Sequence, residues 1–477
     1  MPGKTDFAGM RVTVMGLGLH GGGLESARYL AGKGAAVTVT DLRDDTVLAP
    51  SIEKLEAFGL PFRFVLGRHE DADFSGADMV IKNPGVRPDE PHLALARRVE
   101  TDISLFLAAN PARLIAVTGS KGKSGTASAL HYTLSAGRSA GLLPARAFLG
   151  GNITVSPLSF LDDLQPDDDV VLELSSWQLG DLRGREADGG GLLKPRAALI
   201  TAILPDHLDR YGSMDAYVAD KRLIYHGQDR NDVTVAFTGA WGRLFLAETA
   251  GRPLPASDAP LADGAAGGWL EDETGFARLR AGGPAAAVVP REILIPGKKQ
   301  KQNLLAAALV LMDLGLPADF IAKSLGGFPG IEHRLEFFHE AGGVKFYNDT
   351  AATIPESAAS AIEAFSAPLV LVTGGADKKL DFSVLARKAA EAFAEKRLAP
   401  PVLLAGTGSE KLKTLLAREG VPWRGPFGDL DAAVRAAIDS AKSGGAVILS
   451  PGAASFGMFL NEFDRGRRWK EAVKRLT

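Results

Sequence analysis

The stretch from Leu114 to Leu130 constrains the fold of this chain more than any other. Its sequence, LIAVTGSKGKSGTASAL, is an apolar run, a glycine-rich turn and the beginning of a helical pattern. Gly119 and Gly122 keep the turn free of side chains, so several backbone N–H groups can point into one hollow under the positive end of the helix dipole. Lys123 adds a cation, and Ser124 adds a hydroxyl that can ligate Mg²⁺. The pattern predicts a strand, a phosphate-binding loop and a helix; the alternative is a glycine-rich turn with a chance lysine.

A second glycine pattern lies near the N-terminus. Residues 10–41 contain an apolar strand, a GxGxxG turn that begins at Gly16, a helical stretch and a second strand. This order predicts a Rossmann-like unit that binds a nucleotide or dinucleotide; the alternative is that the glycines serve only helix–strand packing. A further apolar strand, residues 78–82, runs into the turn NPGV. Because ligands gather at the carboxyl ends of parallel strands, we expect this turn to line the same site.

The rest of the chain alternates between apolar strands and helical stretches. Its 477 residues, with 46% apolar and 23% charged, are typical of a globular protein of about three domains. We therefore expect an α/β fold: a Rossmann-like domain over residues 1–101, a phosphate-loop ATPase domain with a mainly parallel sheet over 102–330, and a second Rossmann-like domain over 331–477. Residues 241–290 are rich in glycine, alanine and proline, and we expect them to form a small sheet lying over the ATPase core.

The composition of the chain indicates where the protein is located and which partners it does not bind. The chain has no cysteine, which excludes disulfides and thiolate metal sites and favours a cytoplasmic location. Its net charge of −3 provides no overall attraction to nucleic acid. No stretch approaches the roughly 18 consecutive apolar residues that span a bilayer, so we expect no membrane insertion; we also expect a monomer. A basic run at Lys298, Lys299 and Lys301 is interpreted as a solvated face, with attraction of a nucleotide as the alternative.

Six further blocks follow the phosphate loop in order. They are GGNI from Gly150, LELSSWQL from Leu172, DHLDRYGSMDAYVADK from Asp206, the pair His333–Arg334, YNDTAAT from Tyr347 and LSPGAASF from Leu449. Each block is modest alone, but their order over some three hundred and fifty residues is not expected by chance. Together with the phosphate loop they resemble the Mur ligase family of peptidoglycan synthesis, over nearly the whole chain.

The resemblance implies ATP-driven amide formation. A carboxylate of UDP-N-acetylmuramoyl-L-alanine would attack the γ-phosphate of ATP to give an acyl phosphate, and the amine of D-glutamate would then displace phosphate. Such chemistry needs neutralised phosphates, in-line positioning and exclusion of water. It would place the chain in cytoplasmic peptidoglycan synthesis, and hence in cell-wall biogenesis, cell shape and cell division.

The resemblance also implies roles for residues around the phosphate loop. The implied ATP-binding residues are Gly119, Ser120, Lys121, Gly122, Lys123, Ser124, Asn303, Arg334 and Asp349. Ser124, Glu173 and Lys221 would hold two Mg²⁺ ions, with Lys221 carbamylated so that it becomes a carboxylate-like ligand. Lys123, His207 and Lys221 would be catalytic. His207 would lie near the reacting carboxylate; its alternative is a structural histidine at a helix start, bonded to Asp206 or Asp209.

Two further sets would bind the other substrates. The implied contacts to the UDP-linked substrate are Leu19, His20, Asp41, Arg43, Asn83, Pro84, Gly85 and Asn152. The implied contacts to glutamate are Thr353, Lys378, Ser455 and Phe456. A nicotinamide cofactor in the first domain would leave the GKGKS loop without a use, so the uridine end is preferred there.

Three positions depart from the family pattern. Ala351 stands where a lysine is usual, Glu462 where an aromatic is usual, and Gly125 in place of a second hydroxyl residue after Lys123. The first two leave open L-glutamate as the acceptor. Ser124 still supplies a metal ligand, so we expect activity to survive the third. More distant alternatives are a folylpolyglutamate-synthase-like ligase, against which the predicted uridine site argues, and a nucleotide-binding protein without catalysis, against which the intact phosphate loop argues.

Overall fold

The computed structural model describes residues 6–19, 21–153, 155–185, 192–366 and 368–477. The chain divides into two compact units. The first contains the described residues up to Val289 together with Gln302–Ser324, and the second contains Pro290–Lys301 and Leu325–Thr477. Two sheets lie in the first unit and one lies in the second. Three mainly parallel sheets with helices between their strands agree with the predicted α/β class, whereas the exact domain boundaries stay a prediction.

The first sheet is a five-stranded parallel sheet in the order β3-β2-β1-β4-β5. Its strands are β1 (Arg11–Met15), β2 (Ala36–Asp41), β3 (Phe62–Leu66), β4 (Met79–Lys82) and β5 (Val99–Glu100). Its helices are α1 (Gly22–Gly32), α2 (Asp45–Glu56) and α3 (Asp71–Ser75). The strand order reverses between β1 and β4, and that switch point opens a crevice at the carboxyl ends of the strands.

The second sheet has nine strands in the order β14-β13-β12-β11-β10-β9-β6-β8-β7. Its strands are β6 (Arg113–Thr118), β7 (Ala147–Gly151), β8 (Asp169–Glu173), β9 (Ala197–Ile200), β10 (Val233–Phe237), β11 (Arg252–Ser257), β12 (Gly267–Glu271), β13 (Thr274–Arg278) and β14 (Ala286–Val289). The strands from β7 to β12 in this order are parallel, and β12, β13 and β14 are joined antiparallel. Every residue of β8 and β9 is buried, as a central parallel strand requires.

Between residues 102 and 248 the described part of the chain forms six α-helices around this sheet. They are α4 (Asp102–Ala109), α5 (Lys123–Ser139), α6 (Ser176–Gly180), α7 (Leu208–Tyr211), α8 (Met214–Arg222) and α9 (Ala240–Glu248). Thr101 begins α4 and Ser175 begins α6, each with a reciprocal pair of side-chain and backbone hydrogen bonds. Such capping boxes satisfy the N–H groups that a helix start leaves unpaired.

Residues 241–290 correct one expectation. They do not form a sheet lying over the core; after α9 they supply β11 to β14, which extend the nine-stranded sheet itself. β11 pairs in parallel with β10, with Val233 opposite Arg252. The physical reason is that the free edge of β10 offers unpaired backbone groups, and any strand-forming segment that follows can cover that edge. Local composition does not reveal such pairing.

The second unit holds a six-stranded sheet in the order β15-β16-β20-β17-β18-β19, parallel except for β15. Its strands are β15 (Glu336–Ala341), β16 (Val344–Asn348), β17 (Leu369–Thr373), β18 (Val402–Leu404), β19 (Arg424–Phe427) and β20 (Ala446–Leu449). Helices α10 (Lys298–Asp313) and α11 (Ala318–Gly326) contribute residues to both units. The helices after them are α12 (Pro355–Ala364), α13 (Ser383–Ala394), α14 (Thr407–Arg418), α15 (Leu430–Ser440) and α16 (Glu462–Leu476).

The amphipathic sequence of α16 places Trp469 and Val473 on one face, and both are fully buried. The predicted basic face is only partly present. In the basic run, Lys298 and Lys299 are exposed, but Lys301 is buried and donates a hydrogen bond to the Arg291 carbonyl at 2.6 Å. The expected solvated face therefore does not include Lys301. No helix in the described part of the chain combines the length and the apolar character that crossing a membrane needs.

Candidate active site

The phosphate loop joins β6 to α5 in a conformation that only glycine accepts at two points. Gly119 has φ of +143°, and a Cβ there would lie 1.9 Å from Thr201 Oγ1. Gly122 has φ of +95°, and a Cβ there would lie 2.6 Å from Asn303 Oδ1. The two glycines thus let the loop pass directly against these side chains. Asn303, predicted from a helix more than 180 residues later, lies beside the loop.

Two lysines converge on one carbonyl oxygen of this loop. Lys123 Nζ donates to the Gly119 carbonyl at 3.0 Å, and Lys221 Nζ donates to the same oxygen at 2.8 Å. Lys221 is 1% exposed, and burial, reinforced by the charge of Lys123, lowers its pKa to about 7. Lys123 thus brings a cation that can attract a phosphate group to this point, and Lys221 brings a buried amine that holds its proton weakly.

Glu173 ends β8, directly beside the phosphate-loop strand, with Val117 as its register partner. Its side chain is 1% exposed. One carboxylate oxygen accepts a hydrogen bond from Asn152 Nδ2 at 3.0 Å, whereas the other, Oε2, is buried without a hydrogen-bond partner among the described residues. A buried carboxylate oxygen without a partner is costly unless a cation faces it. Together with the Ser124 hydroxyl at the start of α5, this oxygen donor set fits Mg²⁺.

The hydroxyl of Ser120 forms hydrogen bonds within the protein. It donates to the Leu204 carbonyl at 2.8 Å, accepts from the Leu204 N–H at 3.0 Å and lies 2.9 Å from the Tyr217 hydroxyl. These contacts fix the loop to the segment after β9. The Ser120 backbone, and not its hydroxyl, is therefore available to bind a nucleotide. The next residue, Lys121, is exposed.

His207 has a left-handed backbone, φ 52° and ψ 30°, at the start of α7. Its ring is exposed, with its centroid 4.9 Å from that of Trp177, and the Arg210 guanidinium lies 4.2 Å from the Trp177 ring centre. The ring nitrogen Nε2 lies 3.9 Å from Asp206 Oδ1, which is too long for a hydrogen bond. The backbone N–H of His207, not the ring, bonds that carboxylate at 3.1 Å. The tilted contact with Trp177 therefore orients the ring, and no described residue forms a hydrogen bond with its nitrogens.

A cavity of about 350 Å³ opens at the switch point of the first sheet. Among its lining residues are five of the predicted contacts to the UDP-linked substrate: Leu19, Asp41, Arg43, Asn83 and Gly85. His20 lies outside the described residues. Asn152 is not part of this lining, because its side chain lies against Glu173.

Hydrogen bonds within the protein hold the polar side chains of this cavity in place. The Asp41 carboxylate accepts hydrogen bonds from the Gly18 N–H at 3.1 Å and from Arg43 Nη2 at 3.0 Å. Burial opposes ionisation, but the hydrogen bonds from Arg43 prevail and lower the pKa of Asp41. Asn83 donates to the Gly16 carbonyl at 3.2 Å and accepts from the Gly85 N–H at 3.0 Å. A carboxylate and an amide thus fix the two turns that face the cavity.

The sequence did not indicate two residues that belong to this region. His69 lines the cavity, with Nδ1 2.7 Å from the Thr40 hydroxyl. Lys82 is buried at the end of β4; its Nζ donates to the Val86 carbonyl at 3.0 Å and lies 2.8 Å from Asp181 Oδ2. Each follows or ends a parallel strand, and that position was the signal available in the sequence.

In the second unit, three loops meet at the carboxyl edge of the sheet. The Ala376 and Ala454 backbones exchange two hydrogen bonds, both 3.0 Å, and the Gly452 N–H bonds the Ala352 carbonyl at 2.8 Å. These bonds join the loops after β16, β17 and β20. The predicted glutamate contacts on these loops are Thr353, Lys378, Ser455 and Phe456. Ser455 is buried, whereas Lys378 and Phe456 are exposed.

Asp349 follows β16 and is held by two donors. The Leu335 N–H bonds Oδ1 at 3.1 Å, and the Ser450 hydroxyl bonds Oδ2 at 2.6 Å. Burial raises its pKa to about 6. The neighbouring Arg334 is exposed. Both predicted ATP contacts from this unit therefore lie at the same edge of its sheet.

Family comparisons cover the three sheets in turn. Residues 10–104 match the Mur ligase MurD-like N-terminal domain, residues 117–311 match the Mur ligase middle domain, and residues 333–453 match the Mur ligase glutamate ligase domain. The chain belongs to the Mur ligase family. The resemblance seen in the sequence is thereby confirmed, as are the fold class and the assignment as an ATP-dependent amide ligase.

Full-length relatives extend this result. The chain is 40% identical to a UDP-N-acetylmuramoylalanine–D-glutamate ligase of Treponema pallidum (strain Nichols), with 98% of both chains covered. It is also 40% identical to the enzyme of that name from Roseiflexus sp. (strain RS-1), over 99% of this chain and all of the relative.

Solved Mur ligase structures share the fold. The UDP-N-acetylmuramate–alanine ligase of Thermotoga maritima matches with a TM-score of 0.57 at 18% identity, covering 98% of this chain and 100% of that one. The MurF ligase of the same organism, solved in complex with ADP, matches with a TM-score of 0.51 at 15% identity, covering 99% of this chain and 100% of that one.

Two of the three departures from the Mur ligase pattern, Ala351 and Glu462, lie close together in the second unit. The Ala351 N–H bonds the His333 carbonyl at 3.0 Å, and the preceding Thr350 donates its hydroxyl to the Glu462 carbonyl at 2.8 Å. The Glu462 side chain is half-buried, and the next residue, Phe463, places its ring 5.3 Å from that of His333. An aromatic side chain is therefore present one position after the usual one.

Proposed function

We propose that this Mur ligase adds D-glutamate to UDP-N-acetylmuramoyl-L-alanine through an acyl phosphate formed with ATP. The observation that carries the proposal is the convergence of Lys123 and Lys221 on the Gly119 carbonyl, next to the buried, unpaired oxygen of Glu173. This arrangement supports phosphate binding and metal binding at one point of the loop. The 40% identical relatives are named for this activity.

In this proposal the phosphate loop receives the triphosphate. The N–H groups from Gly119 to Ser124 and the start of α5 stabilise negative charge on the β- and γ-phosphates. The Lys123 ammonium leaves the Gly119 carbonyl to meet the γ-phosphate. Asn303 lies beside Gly122 at one side of the loop. Arg334 and Asp349 are also proposed as contacts to ATP.

Lys221 is proposed to act as a carbamate. A pKa near 7 leaves much of the side chain as the neutral amine at physiological pH. Its lone pair can attack carbon dioxide to form an N–C bond and, with loss of one proton, a carbamate anion. That anion, with Glu173 and Ser124, would hold two Mg²⁺ ions, which neutralise phosphate charge during transfer. His207, whose ring nitrogens are available, is proposed to orient the reacting carboxylate.

The remaining predicted contacts are proposed to bind either the UDP-linked substrate or glutamate. The cavity at the switch point is proposed to take the uridine diphosphate, with Asp41 accepting from the uracil or ribose and Arg43 facing the diphosphate. Asn152 is proposed to contact the muramoyl part, on the path from that cavity to Glu173. The loops that carry Thr353, Lys378, Ser455 and Phe456 are proposed to bind glutamate.

We also propose the functional division of the chain at residues 101/102 and 330/331, so that each domain binds one substrate. The enzyme is proposed to act as a monomer in the cytoplasm, where ATP is available.

Phosphate release tests the proposal. The protein is incubated with ATP, Mg²⁺ and UDP-N-acetylmuramoyl-L-alanine, with D- or L-glutamate in parallel. Release that requires both the UDP-linked substrate and D-glutamate is expected. Release with L-glutamate alone would overturn the stereochemical part of the proposal, and no release with either isomer would overturn the proposal itself. Omission of each substrate in turn provides the controls.

A further inference from the structure

Arg465 is an unusual residue in the second unit because its charge is buried without a counter-ion. It lies in α16 with no exposed surface. No described carboxylate forms an ion pair with it, whereas Lys82, another buried cation of this chain, pairs with Asp181. Charged side chains are almost never buried unless paired. A buried cation of this kind interacts favourably with an anion that binds close to it.

The guanidinium joins two of the loops that meet at the edge of the sheet. Nε donates to the Thr350 hydroxyl at 3.0 Å, and Nη2 donates to the Thr350 carbonyl at 3.0 Å. Nη1 donates to the Ala453 carbonyl at 3.2 Å. Thr350 lies three residues before Thr353, and Ala453 lies two residues before Ser455. A single side chain thus fixes the spacing between two loops that are proposed to bind glutamate.

The neighbouring residues leave its charge largely uncompensated. The partners of Arg465 are two carbonyls and one hydroxyl, which are neutral. Burial lowers its pKa to about 10, and the nearby Glu462 opposes this effect. Arg465 therefore stays cationic at neutral pH. The adjoining Ala351 contributes no charge. Arg465 thus places a positive charge behind these loops, and that charge favours a ligand that carries negative charge.

We propose that Arg465 is a positioning residue for the acceptor amino acid, and that its buried charge makes the site prefer an acceptor with a second carboxylate. This inference rests on the proposed function and deepens it. Arg465 does not contact the acceptor; it acts through the loops it joins and through its field. Glutamine, which replaces the side-chain carboxylate by an amide, is the acceptor that should gain least from that charge.

The test compares Arg465→Met with Arg465→Lys and with the control Arg468→Met. Arg468 lies on the same helix but is exposed and bonds the Met458 carbonyl. In phosphate-release assays, Arg465→Met is expected to raise the KM for glutamate about tenfold, because the two loops lose the side chain that joins them and a nearby positive charge is removed. The KM values for ATP and the UDP-linked substrate, and all values for Arg468→Met, are expected to stay within about twofold. The preference for glutamate over glutamine should fall in Arg465→Met and be partly kept in Arg465→Lys.

A rescue variant separates charge from packing. Adding Ala351→Lys to Arg465→Met returns a cation to the same loop, and it is expected to recover most of the lost glutamate affinity. If Arg465→Met does not fold, Thr350→Val removes the hydroxyl partner while it keeps the charge, and a rise of about threefold in glutamate KM is expected. Unchanged glutamate KM in the folded variants, or an equal rise for all three substrates, would overturn the inference. Absence of activity in the wild-type protein would instead overturn the proposed function.

Discussion

The buried Lys221 predicts a stability that depends on pH in a defined window. Its pKa falls from an ordinary value of 10.5 to about 7 in the folded protein. Below pH 7 both the folded and unfolded states hold the proton, and the full cost of burying the charge is present. Between pH 7 and 10.5 the folded state releases the proton while the unfolded state keeps it, so stability rises with pH. At about 1.4 kcal/mol per pH unit, the whole window amounts to about 5 kcal/mol.

Replacing Lys221 by Met removes this dependence. The difference in unfolding free energy between Lys221→Met and wild type is expected to be largest at pH 6 to 7 and to shrink by about 1.4 kcal/mol per pH unit up to pH 9.5. Hydrogen exchange in urea, read by mass spectrometry on peptides of β6 and β8, reports this region even if the two units unfold separately. Carbon dioxide is removed from the buffers. Lys323→Met, which removes an exposed lysine, is expected to keep the wild-type slope. Equal slopes for wild type and Lys221→Met would refute the reasoning.

Three further predictions test other parts of the site. Glu173→Gln is expected to abolish phosphate release while its melting temperature stays equal to or above that of wild type, because the change removes a buried carboxylate whose Oε2 has no hydrogen-bond partner among the described residues; a large loss of stability would contradict this. Lys82→Met should lower the free energy of unfolding by about 3–5 kcal/mol, and adding Asp181→Leu should restore most of that loss. Denaturant unfolding of the single and double variants measures the coupling between the two residues. Additive effects of the two substitutions would contradict this prediction. Gly122→Ala should raise the KM for ATP at least about tenfold, because its Cβ would lie 2.6 Å from Asn303 Oδ1 at a positive φ; an unchanged KM for ATP would contradict this.

Local patterns were sufficient for the phosphate loop and for most of the sheets. The apolar run ending at Thr118, the glycines after it and the helix that begins at Lys123 are encoded within a dozen residues. The same holds for the switch-point cavity, because Gly16 and the turn after Lys82 each follow a parallel strand. These features depend on backbone conformation and strand polarity, which short sequences determine.

Features that depend on distant partners could not be derived from local patterns. Lys221 meets the Gly119 carbonyl across 102 residues of sequence, so only the family resemblance indicated it. The amphipathic pattern of its helix predicts a surface position for Arg465. It is buried because the loop of Thr350, 115 residues earlier, and the loop of Ala453, 12 residues earlier, fold over it. The composition of the segment that forms β11 to β14 predicted a separate small sheet. That composition does not indicate that these strands extend the edge of β10.

An oxygen-isotope experiment tests the central claim most directly. UDP-N-acetylmuramoyl-L-alanine labelled with ¹⁸O in both carboxylate oxygens is incubated with ATP, Mg²⁺ and D-glutamate, and the released phosphate is analysed by mass spectrometry. If the carboxylate attacks the γ-phosphate and the amine then displaces phosphate from the acyl carbon, each phosphate leaves with one ¹⁸O atom. Formation of the amide product with unlabelled phosphate would contradict the acyl-phosphate route.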